Sequence, residues 1–208
     1  HFIERNKEKP FFAYLSFYSV HTPLISRKDL EKKYLDRKKQ RGLSPLWGKE
    51  HNREVRLVQE HAVYAGMVEA MDMAVGKVLK ALRRLKLDKD TIIFFMSDNG
   101  GLSTSEGHPT SNMPLRAGKG WIYEGGIRTP MIVRWPSITV PGRVSNALVT
   151  SIDFFPTIIE LAGSQMEFQL PVDGMSFAAA LRGEKYDRGA IYWHYPHYGN
   201  QGSAPSGA

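Results

Sequence analysis

Apolar and polar positions along this chain fall into two rhythms, one of short unbroken runs and one of helical spacing. Pro10-Phe11-Phe12-Ala13-Tyr14-Leu15-Ser16-Phe17 is a short, aromatic-rich run and predicts a fully buried strand. A loop, Ser19-Val20-His21-Thr22-Pro23-Leu24, follows it, and Pro23 bars a helix at Thr22. Residues 27–53 are polar and read as irregular or partly helical. Val58, Ala62, Ala65, Val68, Met71, Val75, Val78 and Leu82 then recur at spacings of three and four, which predicts a long helix over Glu54–Leu85 with one apolar stripe packed on a sheet. A turn at Leu87-Asp88-Lys89-Asp90 leads into a second buried strand, Thr91–Ser97, which stops at Asp98-Asn99-Gly100-Gly101. Residues 100–129 are glycine-rich and show little periodicity, and a loop of that length inside a domain is usually functional. Pro130–Trp135 is a further strand, closed by Pro136. Ser151 is the expected N-cap of a helix over Ile152–Ala162, with Gly163 at its C-terminal end. Ser176–Leu181 reads as a short helix and Gly189–Trp193 as a last strand, running into His194-Tyr195-Pro196-His197-Tyr198. The tail from Gly199 is rich in Gly, Ser and Ala.

Strand, helix, strand, loop, strand, helix, strand is the order of an α/β layer fold, and unbroken apolar strands imply a sheet covered on both faces. Ligands in such sheets sit outside the carboxyl ends of the strands. His21, Asp98-Asn99 and the His194/His197 pair all fall at such ends. The chain's 208 residues suffice for one domain with a real core, at 42% hydrophobic and 24% charged residues. No apolar run reaches the length of a membrane span, and residues 1–9 are too polar for a signal peptide. There is no cysteine, so neither a disulfide nor a thiolate metal site can form. The formal charge of +7 favours anionic partners. Eight Lys or Arg against three Asp or Glu lie between Arg27 and Arg41, but Tyr34 is the one aromatic among them, which makes a solvated face a better reading than a nucleic-acid platform.

Asp98 and Asn99 offer oxygen alone, which selects hard cations such as Ca²⁺ or Mg²⁺ over zinc. By themselves they read as a turn after a strand, and two ligands fall short of the six to eight oxygens of a calcium site. Lys119, between two glycines, has no bulky neighbour and suits a sulfate or phosphate oxygen. His21, just past a strand end, suits proton donation to a leaving oxygen. Each of these signals alone is common in purely structural settings.

In this order and spacing they become specific. Phe12–Leu24 resembles the histidine-bearing strand and loop of type I sulfatases, the formylglycine-dependent arylsulfatase family, and Ile92–Gly101 resembles that family's strand ending in Asp-Asn metal ligands. Asn112-Met113-Pro114-Leu115-Arg116-Ala117-Gly118-Lys119-Gly120 and Tyr123-Glu124-Gly125-Gly126-Ile127-Arg128-Thr129-Pro130 are similar to its lysine signature, and Asp153–Thr157 and Asp173–Ser176 to further landmarks. The resemblance runs from about residue 9 to about residue 198. It implies the alkaline phosphatase superfamily fold, an α/β sandwich around a large mixed or mostly parallel sheet. It implies that Asp98 and Asn99 bind a divalent metal, Ca²⁺ or else Mg²⁺, and that Lys119 and His21 hold the sulfate and the bridging oxygen, with His21 the proton donor. For Arg116 and Arg128, pairing with carboxylates to hold the loop is preferred to substrate contact. His194 and His197 resemble a stretch of bacterial sulfatases acting on sulfated carbohydrates, and His197 is the preferred substrate contact of the two. His51, His61 and His108 carry no motif.

The departures from the family pattern are large. Its Cys/Ser-x-Pro-x-Arg motif, the source of the formylglycine nucleophile, is absent, and Ser44-Pro45-Leu46-Trp47 is not a version of it. So are the upstream aspartates of the metal site and the upstream lysine and histidine of the sulfate pocket. Residues 1–198 are therefore expected to be the middle-to-late part of a sulfatase catalytic domain, without the nucleophile region or the C-terminal subdomain, and 199–208 a tail. The expected activity of the parent protein is sulfuric ester hydrolysis on a sulfated carbohydrate or aryl sulfate, in a periplasmic, secreted or lysosomal setting, with the isolated piece inactive. The competing readings are a phosphoester or phosphonate hydrolase of the same superfamily and a non-catalytic protein that binds sulfated glycans.

Overall fold

A computed structural model of the chain describes residues 1–50, 53–164, 171–197 and 199. In chain order its elements are α1 (Phe2–Arg5), α2 (Lys28–Gln40), β1 (Trp47–Glu50), β2 (Arg53–Arg56), α3 (Ala62–Arg84), β3 (Ile93–Met96), α4 (Glu124–Ile127), β4 (Met131–Arg134), α5 (Phe154–Leu161) and α6 (Ala178–Arg182), with a 3-10 turn at Ser151–Asp153 before α5. The chain divides into two compact units. One comprises His1–Asp88, Met96–Met131 and Trp193–Ala208, and the other Lys89–Phe95 and Ile132–Tyr192.

In the first unit α2 packs against α3. Leu30 is the buried face of α2, and Lys33 reaches across to Glu69 at 2.6 Å. β1 and β2 pair antiparallel, Trp47 opposite Arg56 and Glu50 opposite Arg53. This hairpin corrects the expected start of the long helix at Glu54. Leu57 continues the strand bonding by donating its N–H to Leu46 O, and the helix starts five residues later than Arg56 allows, once His61 accepts a hydrogen bond from Tyr64 N at 3.2 Å through its side chain. Buried Arg56 and Lys38 both pair with buried Glu60, so the corner between strand and helix is electrostatically closed. The polar stretch 27–53 contains a full helix, α2, supported by an i,i+4 pair of Lys32 with Asp36. The predicted strand over residues 10–17 is absent: those residues have no regular structure, and Phe12, Tyr14 and Leu15 are exposed.

In the second unit β3 and β4 form a two-stranded sheet. Both expected strands are therefore present, each trimmed by one or two residues at its ends. Phe94, Phe154 and Phe177 pack edge-to-face with ring centroids 5.3–6.1 Å apart. The helix expected from Ser151 is capped by Thr150 instead: the Thr150 side chain and the Asp153 side chain exchange backbone bonds in a capping box, and the first turn is 3-10. Asp153, fully buried, also accepts Met175 N at 2.8 Å and pairs with Arg188. Thr157 Oγ1 donates to Asp153 O at 2.6 Å and accepts Phe177 N at 3.0 Å. The motifs around Asp153 and Asp173 thus meet, and their work is to pin two segments together. The expected strand Gly189–Trp193 is not formed. Among the described residues the sheets are two pairs of strands, and no helix is long and apolar enough to cross a membrane.

Candidate functional site

All the site residues expected from the sequence lie in the first unit. The chain leaves β3 at Met96, and Ser97 Oγ donates to Asn99 O at 2.8 Å, closing a tight turn that presents Asp98. Asp98 is exposed and makes no hydrogen bond or ion pair among the described residues. Asn99 Nδ2 donates to Gly100 O at 2.8 Å, which leaves its Oδ1 as an uncommitted acceptor. A carboxylate and an amide oxygen, adjacent and unspent, suit a hard cation. Among the described residues no group of three or more His, Cys, Asp or Glu could hold a metal, so the pair does not by itself make up such a site.

The turn is locked to the lysine loop through the backbone. Gly100 N donates to Gly126 O at 2.8 Å and Lys119 N to Gly101 O at 3.1 Å. The chains approach so closely that a Cβ on Gly100 would lie 1.6 Å from Gly125 O, and one on Gly118 2.3 Å from Gly101 O, so only glycine fits either position. Asn112 knits the two strands of this contact: its Oδ1 accepts Gly101 N at 3.1 Å, and its Nδ2 donates to Gly101 O and Ala117 O at 2.8 and 2.9 Å. Ala117 is buried in the left-handed region at φ 60°, and with Trp121 it forms the local core. Trp121 Nε1 donates to buried Thr104 Oγ1 at 3.0 Å.

On this frame Lys119 Nζ comes to 2.7 Å from His21 Nε2, across 98 residues of sequence. His21 Nδ1 lies 2.8 Å from its neighbour's carbonyl, Thr22 O. A carbonyl only accepts and an ammonium only donates, so Nδ1 carries the proton and Nε2 offers its lone pair to Lys119. The two side chains are thus bonded to each other, and the ammonium keeps two further N–H groups for an oxygen acceptor. Neither His194 nor His197 forms a hydrogen bond to this pair among the described residues. Both are exposed, and the His197 ring packs edge-to-face on Tyr195 at 5.8 Å. Arg128 pairs with Glu124 at 3.4 Å, as expected, while the Arg116 guanidinium stacks over the Tyr123 ring at 3.8 Å. Sequence reasoning quoted Asn112 without a role and passed over Thr22 and Glu106. The amide in front of a Gly-Lys-Gly loop was a usable signal for the first; for the other two, contact at long range left none. Of the unassigned histidines, His61 caps α3, His108 anchors a loop through Ser103 O at 3.0 Å, and His51 lies outside the described residues.

A sulfatase family model matches residues 1–164. A curated sulfatase of Formosa agariphila is 37% identical over 210 residues, covering 94% of this chain and 34% of that protein. Human steryl-sulfatase is 35% identical over 188 residues, covering 88% of this chain and 28% of its own length. Among solved structures, Ps i-CgsB in complex with k-i-k-neocarrahexaose is similar at a TM-score of 0.70 and 34% identity, covering 88% of this chain and 36% of that one. The chain spans about a third of the length of these relatives, and its folded part is a portion of the α/β, alkaline-phosphatase-like fold that the resemblance implies. With a match over most of its length and identity above a third to a curated sulfatase, the chain belongs to the sulfatase family.

Proposed function

We propose that this chain supplies the cation-and-lysine side of the active site of a sulfatase that hydrolyses sulfate esters of a saccharide. The observation that carries the reading is the 2.7 Å approach of Lys119 Nζ to His21 Nε2 on a loop hydrogen-bonded to the Asp98-Asn99 turn. Asp98 and Asn99 would hold a Ca²⁺ or Mg²⁺ together with ligands from outside this chain. Such an ion draws charge from the sulfate oxygens and makes the sulfur more electrophilic. Lys119 binds a sulfate oxygen and stabilises the charge that grows as the S–O bond breaks. The proton that goes to the departing alcohol comes from the Lys119 ammonium by way of His21 Nε2, whose lone pair accepts it. The nucleophile, formylglycine by family resemblance, is not drawn from a cysteine of this chain, which has none. A saccharide substrate is supported by the likeness to a protein solved with k-i-k-neocarrahexaose, and by exposed Trp193, His194, Tyr195 and His197, whose rings can stack on sugar faces while the imidazoles bond hydroxyls. The surplus of seven positive charges favours an anionic glycan.

The test uses the full-length enzyme with an aryl sulfate and a sulfated oligosaccharide. Lys119→Ala is expected to lower kcat/KM by about a hundredfold to a thousandfold, in line with the loss of one oxyanion donor. Chelation is expected to abolish turnover and added Ca²⁺ or Mg²⁺ to restore it. Faster hydrolysis of an aryl phosphonate monoester than of the sulfate would replace sulfate by phosphonate in this reading. Turnover untouched by Lys119→Ala would remove it.

A further inference from the structure

Glu106 has no part in the function above, yet its carboxylate reaches the catalytic histidine through one hydroxyl. Thr22 Oγ1 donates to Glu106 Oε2 at 3.1 Å, and the same Oγ1 lies 3.4 Å from His21 Nδ1. The loop that presents Glu106 is unusual. Glu106, Gly107 and His108 stand in succession in the left-handed region, at φ 51°, 89° and 47°. Two of these three carry side chains that disfavour it. The conformation is held from behind. Arg56 Nε donates to His108 O at 2.9 Å, His108 N to Ser105 O at 3.0 Å, and the His108 ring stands edge-on to Trp47 at 6.0 Å. Ser103, Thr104 and Pro109, around it, are fully buried. A buried anchor thus directs one exposed carboxylate at Thr22.

The directions of these bonds give the carboxylate a task. A hydroxyl that donates to a carboxylate has only lone pairs to turn toward its other neighbour. Facing His21, the Thr22 oxygen then accepts alongside Thr22 O, and both favour a proton on Nδ1. Without Glu106 the hydroxyl is free to turn and donate to Nδ1, which would move the ring proton to Nε2 and set it against the Lys119 ammonium. We propose that Glu106 is a positioning residue that acts through the Thr22 hydroxyl to hold His21 in the Nδ1–H tautomer, with the Nε2 lone pair turned toward the Lys119 ammonium that supplies its proton. The proposal rests on the reading of His21 and Lys119 as the groups that handle the ester oxygen.

Glu106→Gly separates the carboxylate from the backbone, because glycine adopts φ 51° without strain. The full-length enzyme and its Glu106→Gly, Glu106→Asp and Thr22→Val variants, with ¹⁵N-labelled histidine, supply two readouts. The first is the His21 ¹⁵N pattern, which distinguishes the tautomers without turnover. Wild type is expected to show Nδ1–H, and Glu106→Gly and Thr22→Val a mixture of both forms. The second is aryl sulfate kinetics, where both variants are expected to lose about tenfold to a hundredfold in kcat, the usual range for partners that orient a functional imidazole, with KM within threefold and partial rescue in Glu106→Asp. An unchanged ¹⁵N pattern in Glu106→Gly overturns the proposal whatever the rate, and so does a KM-only effect. If wild type hydrolyses no sulfate ester, the functional reading fails, while the ¹⁵N pattern still decides the role of Glu106.

Discussion

Gly100 shows how little space separates the Asp98-Asn99 turn from the lysine loop. Its missing side chain is filled by Gly125 O, and its N–H is spent on Gly126 O. A methyl group there cannot be absorbed by a rotamer change, since the obstacle is backbone. Gly100→Ala in the full-length enzyme is therefore expected to push the Asp98-Asn99 turn away from Lys119. Calcium affinity by titration calorimetry should fall at least tenfold and turnover with it, and unaltered calcium binding would count against the coupling of the two loops. As candidates, Asp98, Asn99, Lys119 and His21 were legible in the sequence because each sits in a short motif whose residue types announce a charge or a lone pair. Asn112, Thr22 and Glu106 were not, because what they do depends on partners 5 to 84 residues away and on which way a hydroxyl or amide points. No local pattern distinguishes such residues from ordinary turn formers.

At the scale of the element, α3 and the Thr150–Asp153 cap show where periodicity stops being informative. The helix from Ala62 to Leu82 was read correctly, but Val68 on its expected apolar stripe is exposed, buried Gly66 and Met67 lie off that stripe, and the helix packs against α2 where a sheet was expected. Val58 fits the same spacing and extended the helix backward into β2. Hydrogen bonding to β1 decides that boundary, and the hairpin lies outside any helical window. The true start has its own chemistry. His61 caps α3 by accepting Tyr64 N, which requires an unprotonated Nδ1. Burial pushes the His61 imidazole below its ordinary value, and the Arg56 guanidinium nearby adds to the effect. A lowered value in the fold means that the folded state prefers neutral histidine. The stabilisation is complete above the ordinary pKa of about 6.5 and is lost as pH falls through the lower, folded value. The thermal midpoint is thus expected to drop between pH 7.5 and 5.5. His61→Asp, which caps without needing a neutral ring, is expected to flatten that dependence, and a parallel profile for the variant would contradict it. Asp153 offers a sharper loss. Its fully buried carboxylate serves Thr150 N, Met175 N and Arg188 at once. Asp153→Ala strands a nearly buried guanidinium and two N–H groups, with an expected cost of about 3–5 kcal/mol in urea unfolding. A cost under ~1 kcal/mol would mean that solvent reaches this corner.

At the scale of the whole molecule, the α/β class was legible, but in place of the expected large sheet the described residues form two pairs of strands. A strand needs a neighbour, and sequence can state the propensity of residues 10–17 without stating who pairs with them. In the structure this stretch has no strand, and Phe12, Tyr14, Leu15 and Tyr18 are 65%, 84%, 57% and 72% exposed. Four large apolar side chains so close in sequence and so open to water are unusual for a finished surface. The relatives are about three times as long as this chain, and further polypeptide of that kind would supply such a partner. In the full-length enzyme residues 11–17 are therefore expected to join a sheet, with their amides protected from hydrogen exchange for hours. In the 208-residue chain by itself the same amides are expected to exchange within seconds, and the chain should bind a hydrophobic dye strongly and hydrolyse no aryl sulfate. Rapid exchange of residues 11–17 in the full-length enzyme would show that the apolar run is not a strand in waiting, and the buried-sheet reading of this segment would have to be abandoned.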